Sequence, residues 1–124
     1  MTVDFDQGFT PPEMVKRRLA VVISPPIARR KGLITVVPLS ATEPNPKMDF
    51  QCEIDIPFAL PPYWGHRRRW IKGDMINAVG FHRVDLLSLG KDATGKRIYQ
   101  KEVLPQQAME QIVRCVLASI GLRP

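Results

Sequence analysis

Cysteine and histidine are scarce, with two of each in the chain: Cys52 and Cys115, His66 and His82. They form no Cys-x-x-Cys pair and no Cys/His cluster, so a structural zinc site is not expected and reduced cytosolic thiols are. No apolar run approaches the roughly 18 residues that span a bilayer. The opening Met1-Thr2-Val3-Asp4-Phe5-Asp6 carries acid where an export signal carries base. A cytoplasmic protein without a membrane partner is therefore expected. A phosphate-cradling Gly-rich loop, a Gly-x-Ser-x-Gly elbow and a His-Glu-x-x-His motif are all missing. Nucleotide-dependent and zinc hydrolytic chemistry thus lack support, and neither cofactor nor metal is expected. Repeats, linkers and low-complexity segments are also missing, and 124 residues suit a single domain, 1–124. A chain of that length buries about two-thirds of its unfolded surface, enough for an ordinary core.

Positive charge is what the chain has in excess. Lys and Arg number 18 against 12 acids, a net charge of +6. Half of these bases fall in three runs, Lys16-Arg17-Arg18, Arg29-Arg30-Lys31 and Arg67-Arg68-Arg69. Clustered bases build local positive potential that attracts polyanions, which favours a nucleic-acid partner.

Twelve prolines cut the sequence into pieces too short for long helices. Val3–Phe5 is a candidate first strand, and Gln7–Arg17 a loop. Leu19–Ile23 and Leu33–Leu39 are apolar, β-branched runs without alternation, as expected of strands covered on both faces. Pro38 cannot donate to a ladder, so it belongs at a strand end or beside an irregularity. Phe50, Cys52, Ile54 and Ile56 alternate with Gln51, Glu53 and Asp55, the period of a half-buried strand. Pro57–Arg69 is irregular, Trp70 opens another strand, and Met75–Val84 forms one more, with Gly80 at a bend. Gly90–Lys96 reads as a turn before Arg97–Gln100. Pro105 and Gly121 bracket a helix whose Met109, Ile112, Val113, Val116, Leu117 and Ile120 recur on one stripe. The expected fold is mainly β, a curved antiparallel sheet or small open barrel closed off by a C-terminal helix.

Pairing Leu19–Ile23 antiparallel with Leu33–Leu39 across the intervening loop predicts a register whose residue numbers sum to about 58. That register sets Arg18 opposite Ser40 at the end far from the turn. Glu13 and the Lys16-Arg17 pair lie on the loop entering the same end. Further on, Tyr63-Trp64-Gly65-His66-Arg67-Arg68-Arg69-Trp70 interleaves rings with bases. Unstacked RNA bases lie on aromatic faces while arginines track phosphates, so Trp64, His66, Arg67, Arg68 and Arg69 are candidate RNA contacts, with Trp70 in the core.

At these residues the sequence resembles the MazF/PemK-type toxins of bacterial toxin–antitoxin systems. The likeness rests on Pro11-Pro12-Glu13-Met14 with the following Lys16-Arg17-Arg18, on Val21–Ser24, and on Val36-Val37-Pro38-Leu39-Ser40. Lys72-Gly73-Asp74-Met75 and the segments Val103–Pro105 and Ile120–Leu122 extend it. Within the family the chain most resembles a PemK-like subgroup with Pro-Pro-Glu-Met before its basic run. The resemblance implies an SH3-like barrel of the MazF/PemK/CcdB type, a homodimer, an antitoxin partner and metal-independent cleavage of single-stranded RNA. It carries the family's strand-start arginine onto Arg18, its strand-end Ser/Thr onto Ser40, and a basic residue two before an aspartate onto Lys72 and Asp74. Leu19 stands where the family has proline, Lys72 where arginine is usual, and the first loop holds Glu13 but no histidine.

Cleavage through the ribose 2′-hydroxyl needs a base, an acid for the departing 5′-oxygen and positive charge on the phosphorane, but no metal. Arg18 suits the phosphorane, since guanidinium forks onto two phosphate oxygens. Asp74 and Glu13 are the candidate bases, Ser40 a hydrogen-bond partner of phosphate, and Lys72 a source of charge. Two alternatives stay open, a non-catalytic toxin resembling the gyrase-poisoning relative and an RNA- or protein-binding module of the same fold.

Overall fold

A computed structural model describes residues 1–4, 17–24, 32–46, 48–58, 60, 62–100 and 102–122. In chain order the elements are β1 (Thr2–Asp4), β2 (Arg17–Val22), β3 (Leu33–Ser40), β4 (Glu53–Asp55), β5 (Arg68–Ile71), β6 (Asn77–Gly80), β7 (Val84–Asp85), β8 (Ser88–Lys91), β9 (Arg97–Tyr99) and α1 (Gln106–Ser119). Short 3-10 turns cover Pro62–Trp64, Gly73–Met75 and Phe81–Arg83. The structure is mostly β with one C-terminal helix among the described residues. That helix is not long and apolar enough to cross a membrane.

A seven-stranded sheet runs β4-β5-β3-β2-β1-β7, with β6 also paired to β3, and β8 and β9 form a separate ribbon. All these pairings are antiparallel. The expected mainly β, antiparallel fold with a C-terminal helix is borne out, and among the described residues the sheet is not closed into a barrel. The β2–β3 register is the one expected, with Ala20 facing Pro38, Val21 facing Val37 and Val22 facing Val36.

β3 organises the sheet. One edge pairs with β2, while the other pairs first with β6 at Leu33–Val36 and then with β5 at Leu39–Ser40. Pro38 sits in the gap where the partner changes. Its carbonyl accepts from the Lys72 amide at 3.1 Å, so its donor-less nitrogen faces the Gly73–Met75 turn rather than a ladder. Gly80 marks the expected bend, after which the chain leaves β3 and its Val84 pairs with Val3 of β1.

The unbroken apolar runs are explained by two cores. Leu19, Val37, Leu39, Ile54, Ile56 and Ile71 pack with Ile112 and Cys115 of α1 on one face. Val3, Ala20, Val36 and Val79 pack on the other. Alternate residues of β2 and β3 therefore go to opposite cores, and neither face needs polar side chains.

α1 ends as expected. Gly121, at φ 81°, donates to the Ala118 carbonyl, and Leu122 donates to that of Leu117. This is a Schellman closure, and the left-handed backbone makes glycine the natural residue there. The expected stripe is rotated, however. Ile112 and Cys115 are buried, whereas Val113 and Ile120 are exposed. A helix period alone leaves the centre of the buried face uncertain by about one residue when both flanks are apolar.

The free-thiol expectation is also corrected. Cys52 and Cys115 form a disulfide, with their Cα atoms 6.8 Å apart. Sequence spacing of 63 residues carries no sign of this pairing, because it exists only once α1 lies on the segment entering β4. The same docking explains Gly73. Its amide donates to the Phe50 carbonyl at 3.0 Å, and a Cβ there would stand 2.7 Å from the Cys115 carbonyl oxygen and 2.8 Å from that of Phe50. Both neighbours are backbone and cannot swing away. Gly73→Ala should therefore cost about 1–3 kcal/mol of stability, read as a lowered urea midpoint; an unchanged midpoint would contradict so close an approach.

Candidate functional site

Ser40, the last residue of β3, faces Trp70 of β5. On the other side, the β2–β3 pairs end at Ala20–Pro38, and only their register continued by two residues sets Arg18 across from Ser40. Arg18 in turn faces Val3. Opposed residues of an antiparallel sheet share a face, so Val3, Arg18, Ser40 and Trp70 form one row across four strands. Lys72, the residue after β5, follows Trp70 by two and falls opposite Pro38 when the β3–β5 register is continued, which puts Ser40 and Lys72 within about 12 Å at ordinary strand spacing. Asp74 follows, exposed, in the Gly73–Met75 turn.

Ser40 is 5% exposed, and its hydroxyl is already engaged. It accepts from the Thr42 amide at 3.1 Å and donates to the Thr42 carbonyl at 3.4 Å. This local turn fixes the hydroxyl and carries the chain off β3. Arg17, one residue from Arg18, points to the other face by strand alternation. It pairs with Asp85 at 3.3 Å and Asp4 at 4.0 Å, tying β2 to the ends of β7 and β1.

The Arg67-Arg68-Arg69 run divides into different roles. Arg67 is exposed, and Arg68 is exposed with its Nε 2.7 Å from Glu53 across the β4–β5 ladder. Arg69 is only 4% exposed. Its guanidinium donates to the backbone carbonyls of Trp64, His66 and Arg68. Burial pushes the Arg69 guanidinium below its ordinary pKa, because desolvation opposes charge and the carbonyls offset it only in part. Arg69 thus clamps the Trp64–His66 segment from beneath, while Trp70 lies in the core as expected.

A concave surface of about 510 Å³ is lined by Ala41, Asp55, Trp64, Gly65, His66, Arg67, Arg68 and Arg69. Ala41, on its wall, follows Ser40 in sequence; Ser40 and Arg18 do not line it. Trp64 also borders a second, larger cleft with Arg17. Glu13 and Lys16, the remaining candidates, lie outside the described residues, as does the whole Pro11-Pro12-Glu13-Met14 motif and Arg29-Arg30-Lys31.

Sequence reasoning missed Arg97 and Tyr99, which border the larger cleft. Their i, i+2 spacing puts both on one face of β9. Nothing local indicates that β7, by pairing with β1, delivers the following hairpin to Trp64.

An open antiparallel sheet backed by one helix thus carries the basic cleft lined by Trp64, His66 and Arg67–Arg69. Residues 1–120 match the PemK-like, MazF-like toxins of type II toxin–antitoxin systems, and the chain belongs to that family. An antitoxin partner follows from that membership. The chain is similar to an uncharacterized protein of Haemophilus influenzae, 32% identical over 117 residues covering 92% of this chain and 76% of that one. It is also similar to the uncharacterized protein YifN of Escherichia coli K12, 30% identical over 117 residues covering 92% and 73%.

Proposed function

We propose that this toxin is a metal-independent endoribonuclease that cuts single-stranded RNA to leave a 2′,3′-cyclic phosphate and a 5′-hydroxyl. The observation that supports the reading is the β2–β3 register, Ala20 facing Pro38, which continued by two residues sets Arg18 across from Ser40. In the reaction the 2′-oxygen bonds to phosphorus as the bond to the 5′-oxygen breaks. One proton leaves the 2′-hydroxyl for a base and another reaches the departing oxygen. Arg18 forks onto the non-bridging oxygens, whose charge grows in the phosphorane. Ser40 exchanges its long bond to the Thr42 carbonyl for a charged phosphate oxygen, while the Thr42 amide keeps the hydroxyl aimed. Lys72 adds charge beside the leaving group. Arg67 and Arg68, with His66 and Trp64, hold the flanking strand, Arg69 supports them, and Lys16 adds positive charge, while Arg17 is held by Asp85 and Asp4. The active species is a cytoplasmic homodimer of single-domain chains, inhibited by its antitoxin.

The deciding experiment incubates the protein with single-stranded RNA in excess chelator and identifies the ends. Cyclic phosphate products are expected; tight binding without cleavage would make the protein a non-catalytic member of its family. The base is assigned by separate Asp74→Asn and Glu13→Gln variants. Loss of a base should slow cleavage by roughly 10²–10⁴-fold at neutral pH. Parental rates in both variants would remove both carboxylates from the mechanism.

A further inference from the structure

Both tyrosines and one of the two tryptophans of the chain gather in one place. Tyr63, Trp64 and Tyr99 line an open cleft of about 780 Å³ together with Arg17, Arg97 and Asp85. Rings of this size normally cover a core, yet Tyr63 is 84% exposed. It meets Trp64 edge-on, with centroids 5.1 Å apart and planes at 89°. The edge contact orients Tyr63 and leaves most of its surface in solvent. The segment beneath is held by the buried Arg69 guanidinium at the Trp64 and His66 carbonyls, so the platform is ordered before any ligand arrives. Tyr99, which also lines the cleft, pairs with Ser88 in the ribbon, and Arg97 lies two residues away on the same face. Arg17 and Asp85 neutralise one another at the floor. Arg97, exposed at the start of β9, supplies positive charge at the wall.

We propose that this cleft is a nucleobase site, taking an unpaired base of single-stranded RNA between Tyr63 and Tyr99 with its phosphate toward Arg97. It deepens the nuclease reading and rests on it. A volume of this order accommodates a nucleotide-sized ligand, and aromatic faces bind every base while arginine tracks the backbone. The position fits one continuous strand. Trp64 is a wall of both clefts, so RNA leaving the Ser40 end along Arg67 and Arg68 crosses Trp64 and reaches Tyr63. The site thereby selects for a base that is unstacked and a few nucleotides from the cut, which makes these rings specificity-determining rather than catalytic.

The test uses a short fluorescein-labelled RNA of mixed sequence, with 2′-O-methyl groups to block cleavage, titrated against the full chain. Tyr63→Ala and Tyr99→Ala should each weaken binding roughly ten-fold with the salt dependence intact, since stacking releases no counterions. Tyr63→Phe and Tyr99→Phe should bind as the parent does, which separates the lost ring from misfolding. Arg97→Ala should lower affinity and flatten the salt slope by about one ion. Parental affinity in both alanine variants would overturn the site while leaving the nuclease reading intact. An equal loss of affinity for polyglutamate would show a surface for acidic protein and overturn it too. A parent that binds no RNA at all would remove the nuclease reading and this site with it.

Discussion

Arg18→Ala is expected to slow RNA cleavage by about 10²–10³-fold, the loss seen when one preorganised donor is withdrawn from a developing oxyanion. The size follows from where charge appears. The substrate phosphodiester carries one negative charge, whereas the phosphorane gathers more on the same non-bridging oxygens. A guanidinium held at that point strengthens its bonds as the reaction proceeds, so its removal should lower kcat more than it raises KM. Arg18→Lys should recover little of the rate, because an ammonium keeps the charge and loses the two-pronged geometry. The measurement is single-turnover cleavage of a labelled RNA in chelator, with binding measured separately on 2′-O-methyl RNA. Cleavage by Arg18→Ala at the parental rate would sink the mechanism, whatever its effect on binding.

Replacing Cys52 and Cys115 together by alanine should lower stability by about 4 kcal/mol, from the chain entropy of opening a loop of 63 residues. The bond joins α1 to the segment entering β4, and two hydrogen bonds pass the constraint to the site. Ile71 donates to the Cys52 carbonyl at 2.7 Å, and Gly73 donates to that of Phe50 at 3.0 Å. These amides flank Lys72 and precede Asp74. A reduced or Cys-free protein should therefore show a lower urea midpoint and slower cleavage, because the turn carrying both residues loses its backing. The checks are urea titration with and without reductant, and thiol counting on unfolded, unreduced protein. Two reactive thiols in that second measurement would contradict the bridge.

Several features were legible in the residues because they depend on neighbours in sequence or on a single hairpin. The β-branched runs at Leu19–Ile23 and Leu33–Leu39 imply strands covered twice, and two cores cover them. The short connection between them leaves few registers, and the observed one is that expected, with Ala20 facing Pro38 and Val21 facing Val37. Pro38 beside an irregularity, Gly80 at a bend and Gly121 past the helix end each follow from what one residue's backbone can adopt.

Other features arise only from contacts between distant segments. Hydrophobic period says which face of α1 is apolar but not where it docks, so the Cys52–Cys115 bridge, the tight seat of Gly73 and the exposure of Val113 escaped it. Three consecutive arginines look alike in sequence; in the fold Arg69 is buried on the Trp64 and His66 carbonyls, while Arg67 and Arg68 stay at the surface. The aromatic cleft needs β7 on β1 before Tyr99 can approach Tyr63. Strand identity and hairpin register were thus settled by the sequence itself, because short-range sterics and alternation suffice for them. Which cations face solvent, which rings share a cleft and which cysteines meet were decided by tertiary packing, since each depends on elements that come together only when the chain folds.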